Sequence, residues 1–328
     1  MRKKELNLGI TLVSIFLVSI LAGCGTVLVP MQVTHPAEIN MSSYKQVAFS
    51  EVQGNLGESF AGGLKENLVE SGRFQVVDRQ RLDQIMRELR LSNSDLADSS
   101  SAKKLGKLLP AAALISGRTD GAYNETVVYQ DETCGGKNNR YPCRRYIRKG
   151  TYQTSGSIDV IDVATGQIIK SKVQGNKCDG STQAIDGTPE EIDQSALASK
   201  CLTQNLVVFT KAISPWKETV QAPFRTDKKI PELETGVNQA RLGDLKSAAD
   251  IFLSAAKSAE MNAGIKPDVI AKAYWNLGLA YQYLDEFDRA TEAFKKAYAL
   301  NPSSSCLSEI DNCKKMRAEK KKLAEQNS

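Results

Sequence analysis

Residues 271–304 read AKAYWNLGLAYQYLDEFDRATEAFKKAYALNPSS. The stretch describes two antiparallel helices. Gly278 and Ala290 are small, which lets the helix axes approach closely. Tyr274, Leu277, Tyr281 and Phe294 fill the space around that contact, Ala297 continues the buried row, and Pro302 ends the second helix.

Taken together, Tyr274, Leu277, Gly278, Tyr281, Ala290, Phe294, Ala297 and Pro302 resemble the tetratricopeptide (TPR) pattern at every signature position. A degenerate copy precedes them, with Gly236, Ala240, Gly243-Asp244, Ala248, Phe252 and Ala255 in the equivalent places. Ala248 lies 42 residues before Ala290. The usual period is ~34, so the extra residues fall around Glu260 to Pro267. After Pro302, the positions of Leu307, Ile310 and Met316 predict one capping helix. A repeat buries its face on a neighbour, so two repeats and a cap make a minimal stack. The module spans 231–313, and 314–328 is a basic tail. The resemblance implies a scaffold that holds a protein partner in the TPR groove.

Pro223 and Pro231 mark 217–230 as a linker, and 44–216 reads as a mixed domain. Lys45 to Val52 is a strand. Phe60, Leu64, Leu68 and Val69 recur at helical spacing up to Gly72, a normal stop. Phe74 to Asp78 is a second strand, followed by a helix burying Leu82, Ile85, Met86 and Leu89. A short helix over Ala102–Leu109 precedes a strand over Ala111–Ser116. Strands dominate from Tyr123 to Gln174. Val127–Tyr129 and Ile147–Gln153 flank a polar, cysteine-bounded insert, and a hairpin turns at Ala164-Thr165-Gly166-Gln167. Residues 175–192 read as loop, and Ser195 to Ile213 as a helix stopped by Pro215. The fold class is α+β, followed by an all-α module.

The run Gly72-Arg73-Phe74-Gln75-Val76-Val77-Asp78-Arg79, then Leu82, Ile85 and Glu88, then 102–109 and 111–117, resembles the CsgG-like family of the curli secretion channel. The resemblance covers about residues 44–215. It implies a small α+β periplasmic domain that packs with itself, as a homo-oligomer, or with another envelope protein. It implies no catalytic residue and no cofactor. The most direct reading is assembly or export support at the outer membrane. A curli-type channel subunit and a regulator of a cell-wall synthase are the two alternatives.

Transmembrane strands need apolar side chains on alternate positions. Residues 121–133 fail on both faces: one carries Glu125 and Asp131, the other Asn124, Gln130 and Glu132. The return segment carries Arg144, Arg145, Arg148 and Lys149. No conducting pore is expected. Arg144, Arg145 and Arg148 are instead candidates for contact with lipid phosphates or an acidic partner. The alternative is a solvated loop stapled by a disulfide.

Arg2, Lys3 and Lys4 precede an apolar run that ends at Leu21-Ala22-Gly23-Cys24. This resembles a bacterial lipoprotein signal peptide over 1–23. The resemblance implies acyl chains on Cys24 as the membrane attachment, with 24–43 as a tether. Gly25 follows the cysteine where an aspartate would argue for inner-membrane retention, which points to the outer membrane and the periplasm.

Six other cysteines suit an exported protein with disulfides. Six cysteines allow 15 pairings, so the sequence leaves the connectivity open, and proximity along the chain favours Cys134–Cys143 and Cys178–Cys201. Cys306 and Cys313 are seven apart, about 10 Å on one helix, too far for a bond unless Cys306 lies outside it. No CxxC occurs, and the one histidine, His35, falls in the tether and reads as solvated, so no metal site is expected. Net charge is +5, of which Arg2, Lys3, Lys4 and Glu5 supply +2, too mild to argue for nucleic acid. The chain contains no HExxH, GxSxG or GxxxxGK[ST], and no enzyme is expected.

Overall fold

The computed structural model describes residues 25–77, 79–89, 104, 109 and 112–327. They form two compact units. One holds 34–218 together with 318–327; the other holds 25–33 and 219–317.

The first unit is α+β. Its elements are β2 (Gln46–Gln53), α1 (Gly57–Glu70), β3 (Gln75–Val77), α2 (Arg79–Glu88), β4 (Ala112–Cys134), β5 (Tyr141–Asp162), β6 (Ile168–Ile185) and α3 (Gln194–Ile213). The five strands form one mixed sheet in the order β3-β2-β4-β5-β6. Strand β2 runs parallel to β3 and β4, and β4, β5 and β6 are antiparallel.

Alternation along the strands separates two cores. On one face Val47, Phe49, Ala113, Ile115, Ile158 and Val160 meet Phe60, Leu64 and Leu68 of α1 and Phe209 and Ile213 of α3. Phe60 and Phe209 close that layer edge to face, with ring centroids 5.0 Å apart. Each such side chain stabilises the fold by roughly 1.5–3 kcal/mol through burial. On the other face Ala48, Val77, Ala112 and Leu114 meet Met86 of α2. The short helix expected over 102–109 lies largely outside the described residues.

Two readings of this unit change. The stretch 175–192 is not all loop, because β6 runs on to Ile185 beside β5. Its polar residues belong to an edge strand whose outer side meets water. The separate short strands expected around the cysteines are one continuous pair, bonded from Ala113↔Asp162 out to Cys134↔Tyr141.

The second unit is helical: α4 (Glu232–Arg241), α5 (Leu245–Glu260), α6 (Pro267–Tyr283), α7 (Phe287–Leu300) and α8 (Ser304–Asn327), of which 304–317 belong here. The tail from Lys314 continues α8 without a break. Strands β1 (Thr26–His35) and β7 (Trp216–Arg225) pair in a separate two-stranded sheet. Thus half of the expected tether and most of the expected linker are one ribbon. Val29, Met31, Ala222 and Phe224 enter the core of the helical unit. Pro30 and Pro223, which signalled irregular chain, are tolerated because a strand of a two-stranded sheet has one side with no ladder partner.

Candidate functional site

The duplication is visible as geometry. A Cβ on Gly278 would lie 2.6 Å from the Phe294 ring, and one on Gly236 would lie 2.4 Å from the Phe252 ring. Gly243 (φ 84°) and Asp285 (φ 63°) sit at the matching tight turns, both left-handed. Of the other signature residues, Leu277, Ala290 and Ala297 are buried, and Pro302 follows the end of α7. The Tyr274 hydroxyl donates to Glu260 at 2.7 Å. Burial, then that carboxylate, pushes Tyr274 up to about 12. The Arg289 guanidinium lies 3.9 Å over the Tyr281 ring.

The groove expected to hold a partner is largely taken along α6. Trp275 Nε1 donates to the Pro223 carbonyl at 2.8 Å. Asn276 donates to the Arg225 carbonyl and accepts from the Arg225 amide, both at 2.7 Å. Lys272 pairs with Asp227 at 2.6 Å. Further along, Gln282 donates to Glu309 at 3.1 Å and meets Cys313 Sγ at 3.3 Å. Strand β7, the turn after it and α8 therefore occupy the α6 face that carries these residues. What stays open is an outer groove of about 360 Å³ lined by Leu253, Tyr274, Leu277, Tyr281, Arg289 and Lys296 among others.

The second surface is the arm formed by the far ends of β4 and β5. It exposes Val127, Val128, Tyr129 and Tyr141. The three candidate arginines are not free on it. Arg144 bonds Asp131 at 2.8 Å and lies 4.4 Å over the Tyr129 ring. Arg145 grips Glu132 through two bonds of 2.7 and 2.9 Å. Arg148 pairs with Glu125. A hydrogen bond from Tyr123, then Arg148, holds the Glu125 carboxyl below its usual range. An incoming anion would have to displace a carboxylate from each arginine. A cavity of about 490 Å³ beside the arm is lined by Val127, Tyr146, Arg148 and the 186–189 turn.

Cys134–Cys143 and Cys178–Cys201 are disulfides, the first at the arm's tip and the second tying β6 to α3. Cys306 and Cys313 share α8 as buried free thiols. Burial, then Glu309, raises the Cys313 thiol to about 11, which makes it a poor nucleophile. His35 is not solvated: its ring stacks on Trp216 at 4.3 Å, between Glu319 at 2.9 Å and Glu218 at 3.2 Å. That cluster was illegible because its partners come from β7 and α8. Among the described residues no group of three or more His, Cys, Asp or Glu could hold a metal. Cys24 lies outside the described residues, and Gly25 beside it is the first one placed.

Residues 35–188 match the family described as curli production assembly/transport component CsgG. Residues 271–304 match the tetratricopeptide repeat, a protein-interaction fold. No curated protein matches the chain. Among solved structures, the LpoB C-terminal domain from Salmonella enterica is similar at 19% identity, covering 40% of this chain and 83% of its own, with a TM-score of 0.24. Lipoprotein GNA1162 from Neisseria meningitidis is similar at 9% identity, covering 49% and 94%, with a TM-score of 0.27. The hypothetical protein CT253 from Chlamydia trachomatis is similar at 12% identity, covering 51% and 96%, with a TM-score of 0.27.

Proposed function

We propose that this chain, a CsgG-family domain over 35–188 joined to a TPR repeat over 271–304, is a lipid-anchored envelope protein that supports assembly or export through protein–protein contacts. The acyl chains on Cys24 are its membrane attachment, most simply to the outer membrane on the periplasmic side. The observation that carries the reading is the union of these two domains in one chain, one of an assembly family and one of an interaction fold. The α6 groove face is filled from within the chain, so the contact surfaces are the arm around Val128 and Tyr129 and the outer groove at its exposed rim of Arg289, Glu292 and Lys296.

A channel subunit is the weaker reading. Residues 131 and 132 point to opposite faces of β4, and each carries an acid paired with an arginine of β5. In a barrel one of those two faces would meet lipid, where charge is costly. A synthase regulator remains as a choice of partner within the contact reading. The test is a photo-cross-linking residue in cells, placed at position 128 or 129 of the arm and, in a second variant, at position 296 of the outer groove. An adduct with a second envelope protein supports the proposal. A ladder of self-adducts alone supports the channel, and no adduct from either surface contradicts the proposal.

A further inference from the structure

The residue after Cys24 is clamped. Gly25 has φ +111°, a left-handed conformation, and a Cβ there would lie 2.5 Å from the Thr226 carbonyl oxygen. The Thr226 amide donates to the Gly25 carbonyl at 2.6 Å, and the Thr226 hydroxyl does so at 3.3 Å. Strand β1 begins at the next residue. Consecutive Cα atoms are about 3.8 Å apart, so an anchor proposed at Cys24 is joined to the fold through Gly25, which Thr226 holds.

That point belongs to one end of the helical unit. Thr226 leads through a bridge between Asp227 and Ile230 into α4. Helix α5 returns antiparallel across a short turn, so its C-terminus and the start of α6 share this end. The exposed residues there include Met261, 82% accessible, and Lys228, Lys229 and Lys266. Asp227, next to two of these lysines, is held by Lys272. An exposed methionine at the same end as three exposed lysines suits a headgroup layer, where the thioether enters the acyl boundary and the ammonium groups reach phosphate.

We infer that this end of the helical unit, centred on Thr226 and Met261, lies against the phospholipid headgroups. The inference rests on the proposed acylation of Cys24. Exposed carboxylates at Glu232, Glu234 and Asp268 share this end and offset the lysines, so the surface orients the protein rather than anchoring it. Each basic residue adds only about 1 kcal/mol at an anionic surface.

The test uses the full-length lipidated protein in vesicles of phosphatidylethanolamine and phosphatidylglycerol doped with nitroxide-headgroup lipid. A fluorescent coumarin amino acid replaces Met261 or, at the other end of α4, Leu242, which is 80% exposed. A helix of ten residues is about 15 Å long, enough to separate the two depths. Loss of most fluorescence at position 261 and little at 242 is expected. Equal quenching, or quenching at 242 alone, overturns the inference. A flexible Gly/Ser insert of about ten residues between Cys24 and Gly25 should abolish quenching at 261 while the protein still floats with the vesicles. Quenching that survives the insert overturns the role of the clamp. Intact mass separates the two layers of argument: a chain without acyl groups overturns the anchoring reading and this placement with it.

Discussion

Asn276 holds the backbone of Arg225 as a neighbouring strand would, giving one hydrogen bond and accepting one, each 2.7 Å. The carboxamide therefore closes the free side of β7 where a ladder partner is missing. Arg225 in turn lays its guanidinium 3.9 Å over Trp275. The TPR helix α6 thus carries an extended segment of its own chain.

Replacing Asn276 by Leu should destabilise the helical unit by about 1–3 kcal/mol, since a buried amide and carbonyl lose their partners and cannot reach water. Urea denaturation measures the loss. A change below the error of the measurement would mean that the ribbon is held by its apolar contacts alone.

Gly278→Ala should cost about 1–3 kcal/mol, because the added carbon would stand 2.6 Å from the Phe294 ring. Gly243→Ala should cost about 1 kcal/mol for a different reason. Its Cβ meets nothing within 4 Å, and only the left-handed backbone, φ +84°, opposes it. Thermal melts of the two variants should therefore separate packing from conformation. Equal shifts would argue against this distinction.

The two disulfides should differ in reach. Cys134→Ser with Cys143→Ser removes a nine-residue separation at the arm's tip, so hydrogen exchange should rise locally near Tyr129 with little change in global melting. Cys178→Ser with Cys201→Ser unties β6 from α3 at a buried position and should lower global stability by about 2–4 kcal/mol. The reverse ranking would show that the arm belongs to the cooperative core.

Tyr274 is pushed up to about 12 by burial and by Glu260, so its folded value lies above the unfolded 10.0. A raised value favours the neutral phenol in the folded state. That contribution is fully present below pH 10 and is lost as pH rises through about 12. Stability measured at pH 9 and pH 11 should fall less in Tyr274→Phe than in the wild type. Identical slopes would remove Tyr274 from the account.

The helical module was legible because its rule is local. Gly278, Phe294 and Pro302 act within one hairpin, and their spacing alone fixes what they touch. The sheet core was legible in the same way, through the helical spacing of Phe60, Leu64 and Leu68 and the alternation around Ile115. Strand β1 was hidden although Val27, Val29 and Met31 alternate, because Pro30 reads as a break unless it is known to sit on a side without a ladder partner. The filling of the groove was also hidden. It depends on Asn276 meeting a backbone about fifty residues away, and a backbone carries no sequence signal. The arm's arginines read as free charges because their acids, Glu125, Asp131 and Glu132, looked only like faults in a membrane strand. Pairing the two strands makes them partners.

The central claim is a protein held at the membrane by Cys24 alone and working by contact. Ionic detergent-free fractionation of cells expressing wild type and Cys24→Ser tests it most directly. The wild type should pellet with membranes and resist carbonate washing, while Cys24→Ser should appear as a folded, soluble protein with both disulfides intact. Cys24→Ser that stays in washed membranes would contradict the account and return the long β-arm to the bilayer.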